Sequence, residues 1–163
     1  VMIDSGAFSA HTLGKEVNID RYCNFLEKYS WMAEKYVTLD HVGDEAKTKE
    51  NYLLMIERGF NPMYVVTTAD NDHDFWREVV KNNRDICVSG GTIIRNKWMD
   101  KRFQDVYLET SELAKIHGLG YVNRSSMFNL PIASVDSSSF SCSERYGGFY
   151  IFIDGKLKII QKS

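Results

Sequence analysis

Two aspartates stand directly after short apolar runs in this sequence, one near each end. Asp4 follows the run Val1 to Ile3, and Asp136 follows Ile132 to Val135. An Asp at the end of a strand can act as a nucleophile at a sugar carbon, and a second carboxylate can serve as the acid/base that cleaves a glycosidic bond. Asp136 and Asp4 are therefore candidate catalytic residues, provided that the fold brings them together.

Glycines follow two further apolar runs. Ser89-Gly90-Gly91 and His117-Gly118 bring backbone close to any ligand that binds there, and free N–H groups can hold a phosphate or a flat base. The same residues are also typical of an ordinary tight turn after a strand. No dinucleotide fingerprint and no P-loop motif occurs, so the sequence predicts no nucleotide cofactor.

A metal-dependent hydrolase is an alternative interpretation. Asp40, His41, Asp44 and Glu45 carry oxygen and nitrogen ligands close together, and His117 is a more distant candidate. Asp44 or Glu45 could equally favour the start of a following helix, where the helix dipole prefers negative charge. We expect no bound metal.

Composition limits the class of protein. The 163 residues are 44% hydrophobic and 26% charged, with a net charge of −2, as in a globular domain without a strong basic excess. Three widely spaced cysteines form neither a disulfide framework nor a zinc pattern, which predicts reduced thiols in a cytoplasmic protein. No apolar run approaches the roughly 20 residues of a membrane span, so no membrane contact is expected. The abrupt start at Val1 indicates a piece of a longer chain.

Short apolar strands alternate with helical patterns over most of the chain, which predicts parallel βα units in one domain, 1–163. In such folds the active site lies at the carboxyl ends of the strands. We expect a TIM-type barrel with about six of its eight strands, incomplete at the N-terminus. A β-hairpin with a turn at Asp154-Gly155 ends the chain. The expected strands are Val1 to Ile3, Tyr36 to Leu39, Met63 to Val66, Ile86 to Val88, His117 to Val122 and Ile132 to Val135. One helix is expected to begin after Asn18 as its N-cap. Three further helices are expected over 46–58, 72–81 and 103–116.

Taken together, five motifs resemble the tRNA-guanine transglycosylase-like family, and most of all its short phage-associated branch of 7-deazaguanine DNA transglycosylases. The motifs occur in the family's order and are DSGAFS (4–9), LD (39–40), SGG (89–91), HGLG (117–120) and SVDSSSF (134–140). The resemblance implies a (β/α) barrel that exchanges guanine in nucleic acid for a 7-deazaguanine base such as preQ0, preQ1 or queuine.

The resemblance also implies roles for individual residues. Asp136 would be the nucleophile at C1′ and Asp4 the general acid/base. Asp40 would recognise the guanine edge, and Gly90 and Gly91 would offer N–H groups to the base. Ser89, His117 and Gly118 would line the substrate site, and Phe8 would stack near the base.

Three departures from the family bear on the substrate. The zinc site of the tRNA-acting members is missing, since Cys142 stands alone. Their Gln on the strand that here ends at Thr67 is missing, and so is their arginine-rich segment after the nucleophile. DNA is therefore favoured over tRNA as the partner. A non-catalytic nucleic-acid-binding remnant of a barrel is a further alternative.

Overall fold

The computed structural model describes residues 1–67, 71–89, 96–121, 123, 127–136, 148–153 and 156–161, which form a mixed α/β fold. The strands are β1 (Met2–Ile3), β2 (Lys35–Tyr36), β3 (Tyr64–Val66), β4 (Asp85–Ser89), β5 (Lys115–Leu119), β6 (Ile132–Val135), β7 (Gly148–Ile153) and β8 (Lys156–Gln161). The α-helices are α1 (Ala7–Thr12), α2 (Ile19–Tyr29), α3 (Glu45–Glu57), α4 (His73–Asn82) and α5 (Asn96–Glu109).

Strands β1 to β6 are parallel and lie in the order of the chain. One sheet pairs β1 with β2, and a second has the order β3-β4-β5-β6. A parallel bridge between Val37 and Met63 connects the two. All six strands therefore end at one edge, called here the carboxyl edge. Asp4, Asp40, Ser89, Gly120 and Asp136 lie at or just after the ends of these strands, so the expected parallel arrangement places them along this edge.

The two faces of the sheet pack differently. Tyr64, Ile86 and Ile116 face a large apolar cluster that includes Trp76 of α4 and Phe103 of α5. The alternate positions, including Val65 and Cys87, form a small cluster made of residues from strands and the segments that flank them. Side chains of successive strand residues point to opposite faces, so this alternation places α4 and α5 on one face.

Local sequence accounts for the helix boundaries. The Asn18 side chain accepts a hydrogen bond from the N–H of Arg21 (3.1 Å), which confirms the expected N-cap of α2. Asp44 caps α3 in the same way through the N–H of Lys47 (2.9 Å). After α3 the chain turns at Gly59, whose φ of +86° is one that glycine adopts without strain.

Three element predictions are wrong, and one of them is the strand expected over His117 to Val122, which runs from Lys115 to Leu119. The helix expected over 103–116 spans Asn96–Glu109, and the chain then reverses through positive φ angles at Ser111 and Glu112. Ile116 belongs to β5 and is fully buried against the sheet's helical face, so its apolar character serves a strand. The strand expected over Tyr36 to Leu39 is shorter, because only the bridge at Val37 continues the pairing beyond Tyr36.

The antiparallel pairing of β7 with β8 confirms the predicted C-terminal hairpin, although its turn at Asp154-Gly155 lies outside the described residues. Within the described ranges the parallel strands do not close into a barrel. None of the helices described is long and apolar enough to cross a bilayer.

Candidate functional site at the carboxyl edge of the sheet

The segment after β1 is held by its own polar groups. The Asp4 carboxylate accepts a hydrogen bond from the N–H of Ser5 (2.8 Å), and the Ser5 hydroxyl accepts one from the N–H of Ala7 (3.2 Å) at the start of α1. Gly6 has a φ of +71°, which an L side chain would adopt only with strain. This turn leaves the Asp4 side chain exposed at the carboxyl edge.

A hydrogen bond joins the ends of β1 and β2. The buried Ser5 hydroxyl donates to Asp40 Oδ1 at 2.8 Å. The Asn51 amide of α3 donates to the carbonyl of Leu39 (2.9 Å) and so fixes the backbone beside Asp40. Burial raises the pKa of Asp40 above its ordinary value, and the hydrogen bond from Ser5 opposes that rise.

Asp136 follows β6 and is held by β5. Its Oδ1 accepts a hydrogen bond from the N–H of Gly120 (2.8 Å) and lies 3.4 Å from Nε2 of His117. The second distance is at the long end for a hydrogen bond, and this contact is an ion pair only when the imidazole is protonated. Contact with the His117 imidazole is the main cause that lowers the pKa of Asp136 below its ordinary value. The side chain is 51% exposed, so an ionised carboxylate faces the solvent at this edge.

The three carboxylates act on one buried thiol. Cys87 of β4 is fully buried, and burial raises its pKa well above the ordinary value. The charges of Asp136, Asp40 and Asp4 raise the pKa further, in that order of importance after burial. Asp85, at the start of β4, raises the pKa of Cys87 as well.

The other predicted site residues lie at different depths. Ser89 is the last residue of β4 and is partly buried at the carboxyl edge. Phe8 is 47% exposed in the first turn of α1. His117 is buried next to Asp136. Gly90 and Gly91 lie outside the described residues.

Gly118 faces the helices and not the open edge. A Cβ at this position would lie 2.9 Å from Cζ of Phe103 and 3.0 Å from Cβ of Tyr121. Both neighbours are buried in the cluster between the sheet and α5. The close approach expected of this glycine is real, but it is made to a helix side chain, so packing accounts for the residue.

Sequence reasoning missed the role of one polar residue of the carboxyl edge. Ser5 lies within the DSGAFS motif and was given no role, yet its hydroxyl bonds to Asp40. Thr67 was expected as a polar residue at the end of a strand, and it does follow β3. It is only 5% exposed, and its hydroxyl finds no hydrogen-bond partner among the described residues. Thr67 is two residues beyond Val65, whose side chain lies in the cluster of Cys87, so alternation along the strand places both on one face.

The residues considered as metal ligands make other contacts instead. Nε2 of His41 pairs with Glu16 at 3.3 Å, and Asp44 caps α3. His117 contacts Asp136. Across the described ranges, no group of three or more His, Cys, Asp or Glu side chains is arranged to hold a metal ion.

Two cavities adjoin the site. One of about 190 Å³ lies between α1 and the segment after β2 and is lined by Asp40, His41 and Lys47, among others. The second, of about 210 Å³, is lined by His117 and Ser134 together with Lys35 at the opposite end of the strands. Both are small beside the roughly 300–1,000 Å³ of a ligand pocket for a drug-sized molecule.

Comparison with known proteins adds no further assignment, since the chain matches no protein-family model, no curated protein and no solved structure.

Proposed function

We propose that the chain is a guanine transglycosylase-type enzyme of (β/α)-barrel architecture, which exchanges guanine in DNA for a 7-deazaguanine base such as preQ0. Asp136 is the nucleophile and Asp4 the general acid/base. The observation that carries the proposal is that the half-exposed Asp136, whose pKa is lowered, and the exposed Asp4 each follow a parallel strand at the same edge of the sheet.

The environment of Asp136 suits a nucleophile. An Asp carboxylate is anionic at neutral pH, as attack on a sugar carbon requires, and the lowered pKa of Asp136 extends this form to more acidic pH. The contacts from Gly120 and His117 both reach Oδ1. Oδ2 is therefore the oxygen that we assign to the attack on C1′.

The reaction balances with two carboxylates. Oδ2 of Asp136 forms a bond to C1′ as the bond from C1′ to the guanine nitrogen breaks, and Asp4 gives the departing guanine a proton. The incoming base then loses a proton to Asp4, its ring nitrogen attacks C1′, and the Asp136 carboxylate is released. This is the double displacement by which paired carboxylates retain configuration at a sugar carbon.

Asp40 is suited to recognising the base. A partly buried carboxylate can accept hydrogen bonds from the N–H groups of a guanine edge, and these would favour the anionic form that burial disfavours. The Ser5 hydroxyl orients this carboxylate from the same segment that carries Asp4. One short segment would thus couple base recognition to the acid/base group.

Two features of the fold favour a barrel over a doubly wound sheet. Strands β1 to β6 follow the chain order without reversal, and α4 and α5 pack on one face. A doubly wound sheet reverses its strand order and carries helices on both faces. In a barrel the carboxyl ends of the strands form the active site.

DNA is the proposed substrate because the chain lacks the zinc site and the arginine-rich segment of the tRNA-acting members of the family that it resembles. The net charge of −2 also gives little general attraction for a polyanion. Recognition would therefore depend on the base and its sugar.

The test measures incorporation of labelled preQ0 into guanine-containing DNA and, in a parallel arm, into tRNA. Asp136→Asn removes the anionic nucleophile and should abolish exchange. Asp4→Asn should lower turnover by about 10²–10⁴-fold, the usual contribution of a general acid/base. Asp74→Asn is the matched control, since Asp74 is a 94% exposed carboxylate on α4.

Each outcome has a defined meaning. Full exchange by Asp136→Asn would remove the nucleophile and with it the transglycosylase proposal. Exchange in the tRNA arm alone would keep the chemistry and change the substrate. A folded wild-type chain that binds DNA but exchanges no base would favour the barrel remnant that only binds nucleic acid.

A further inference from the structure

His117 lies between Asp136 and the body of the sheet. It is 8% exposed, on β5, with Cys87 of β4 and Ser134 of β6 as its neighbours in register. Nδ1 is 2.8 Å from the Ser134 hydroxyl, and Nε2 is 3.4 Å from Oδ1 of Asp136. Nε2 is inaccessible to solvent and has no hydrogen bond of good geometry. Three side chains therefore form a line: Ser134 of β6, His117 of β5 and Asp136, which follows β6.

The protons on this line follow from its partners. A buried imidazole N–H without an acceptor is costly, and Oδ1 of Asp136 lies 3.4 Å from Nε2. When the Ser134 hydroxyl donates to Nδ1, the single proton of a neutral imidazole must sit on Nε2, facing Asp136. In that tautomer, and in the doubly protonated imidazole, Nε2 carries a hydrogen and lies 3.4 Å from Oδ1 of Asp136.

We propose that His117 is a positioning residue for Asp136: its Nε2–H, together with the Gly120 N–H, fixes Oδ1 and leaves Oδ2 free to react, while Ser134 sets the orientation of the imidazole. Only the identity of the reacting sugar carbon rests on the proposed function. The arrangement of Ser134, His117 and Asp136 is given by the distances between their side chains and does not depend on that function.

Other ionisable groups lie near these three side chains, and the experiment must distinguish their effect on Asp136 from that of His117. On β4, Cys87 lies next to His117 in register and is buried as a thiol. The cavity that His117 shares with Ser134 is also lined by the charged residues Lys35 and Glu34. Lys35 is paired with Asp85 at 2.6 Å. The carboxylates of Asp4 and Asp40 complete the charges around this part of the sheet.

The experiment is a titration of the Asp136 carboxylate by nuclear magnetic resonance in protein labelled with carbon-13 aspartate. The signal that disappears in Asp136→Asn is assigned to Asp136. The titration is then compared in wild type, His117→Phe, His117→Gln and Ser134→Ala. The matched control is His73→Phe. His73 of α4 also lies beside a carboxylate, since its Nδ1 is 3.5 Å from Oε1 of Glu109 on α5.

The proposal predicts that the pKa of Asp136 lies below the ordinary range in wild type and rises toward it in His117→Phe. His117→Gln keeps a neutral donor and should give a smaller rise. Ser134→Ala should also raise the pKa, because the imidazole loses its orientation. His73→Phe should leave Asp136 unchanged. An unchanged Asp136 titration in a folded His117→Phe variant would overturn the proposal.

The exchange assay separates this inference from the function. If wild type exchanges bases, His117→Phe should lower kcat on the order of 10²-fold, with KM little affected. The acid limb of its pH profile should move to higher pH, since Asp136 then ionises at higher pH. An inactive wild type with a His117-dependent Asp136 titration would refute the function alone, and exchange without that dependence would refute the positioning role alone.

Discussion

Replacing Gly118 with alanine tests the packing between β5 and α5. The added Cβ would lie 2.9 Å from Cζ of Phe103, 3.0 Å from Cβ of Tyr121 and 3.3 Å from Cγ1 of Val135. Ordinary contacts of this kind lie between 3.4 and 4 Å. Something must therefore move by several tenths of an ångström, and each neighbour is itself constrained.

The structure sets the size of the effect. Phe103 is fully buried, and its ring packs edge to face with that of Tyr121 at 4.9 Å between centroids. Moving Phe103 away from the new methyl group therefore disturbs a second ring, and overpacking of a tight core costs about 1–3 kcal/mol. Alanine also restricts the unfolded chain, which alone would stabilise the fold by about 0.4–1 kcal/mol. We expect a net destabilisation of about 1–2 kcal/mol.

The assay is urea denaturation of wild type and Gly118→Ala, followed by the fluorescence of tryptophan. Trp76 is fully buried in the same cluster as Phe103, so its emission reports on this packing. The control is a double-mutant cycle with Phe103→Leu, which removes Cζ and should relieve part of the crowding.

The sign of the change decides the question. A Gly118→Ala variant that is more stable than wild type would show that no crowding exists between β5 and α5. Fully additive effects of Gly118→Ala and Phe103→Leu would remove Phe103 as the cause. Either result would reopen the ligand-binding role that the sequence favoured for this glycine.

Two further predictions concern ionisable groups. Because the pKa of Asp136 is lower in the folded chain than in the unfolded one, its contribution to stability is present above the ordinary carboxyl pKa and is lost as the pH falls through the folded value. The free energies of unfolding of wild type and Asp136→Asn, measured against pH, should therefore differ at neutral pH and converge in acid. A difference that stays constant with pH would contradict the lowered pKa. Cys87 is inaccessible and its pKa is raised, so iodoacetamide should label it only in the unfolded chain, as judged by peptide mass spectrometry; rapid labelling of the native protein would contradict its burial.

The alternation of short apolar runs and helical periods was enough to predict the parallel strands and their common edge. The strand Ile132–Val135 has the predicted bounds, and Asp136 follows it as expected. These features depend on local patterns: a run of apolar residues, then a polar residue where the chain leaves the sheet.

Other features depend on contacts that no local pattern records. The periodicity that starts at Phe103 runs on through Leu113 and Ala114, but the helix ends at Glu109 because the chain must turn back to the next strand. Two glycines of similar sequence context, Gly118 and Gly120, differ in role, since one faces Phe103 and the other donates its N–H to Asp136.

The candidate site shows the same division. Asp4, Asp40 and Asp136 could be selected by type and position, because carboxylates after strands are conspicuous in the sequence. The link from Ser5 to Asp40 spans 35 residues and that from Ser134 to His117 spans 17, so both become visible only when the strands are paired.

The most direct test of the central claim is to look for a covalent bond between the chain and its substrate. Guanine-containing DNA is incubated with the protein without free base, and the mixture is denatured and digested for mass spectrometry. We predict a DNA adduct on the peptide that carries Asp136, which Asp136→Asn does not form and which added guanine reverses. Base exchange without any adduct, or an adduct at another residue, would contradict Asp136 as the nucleophile.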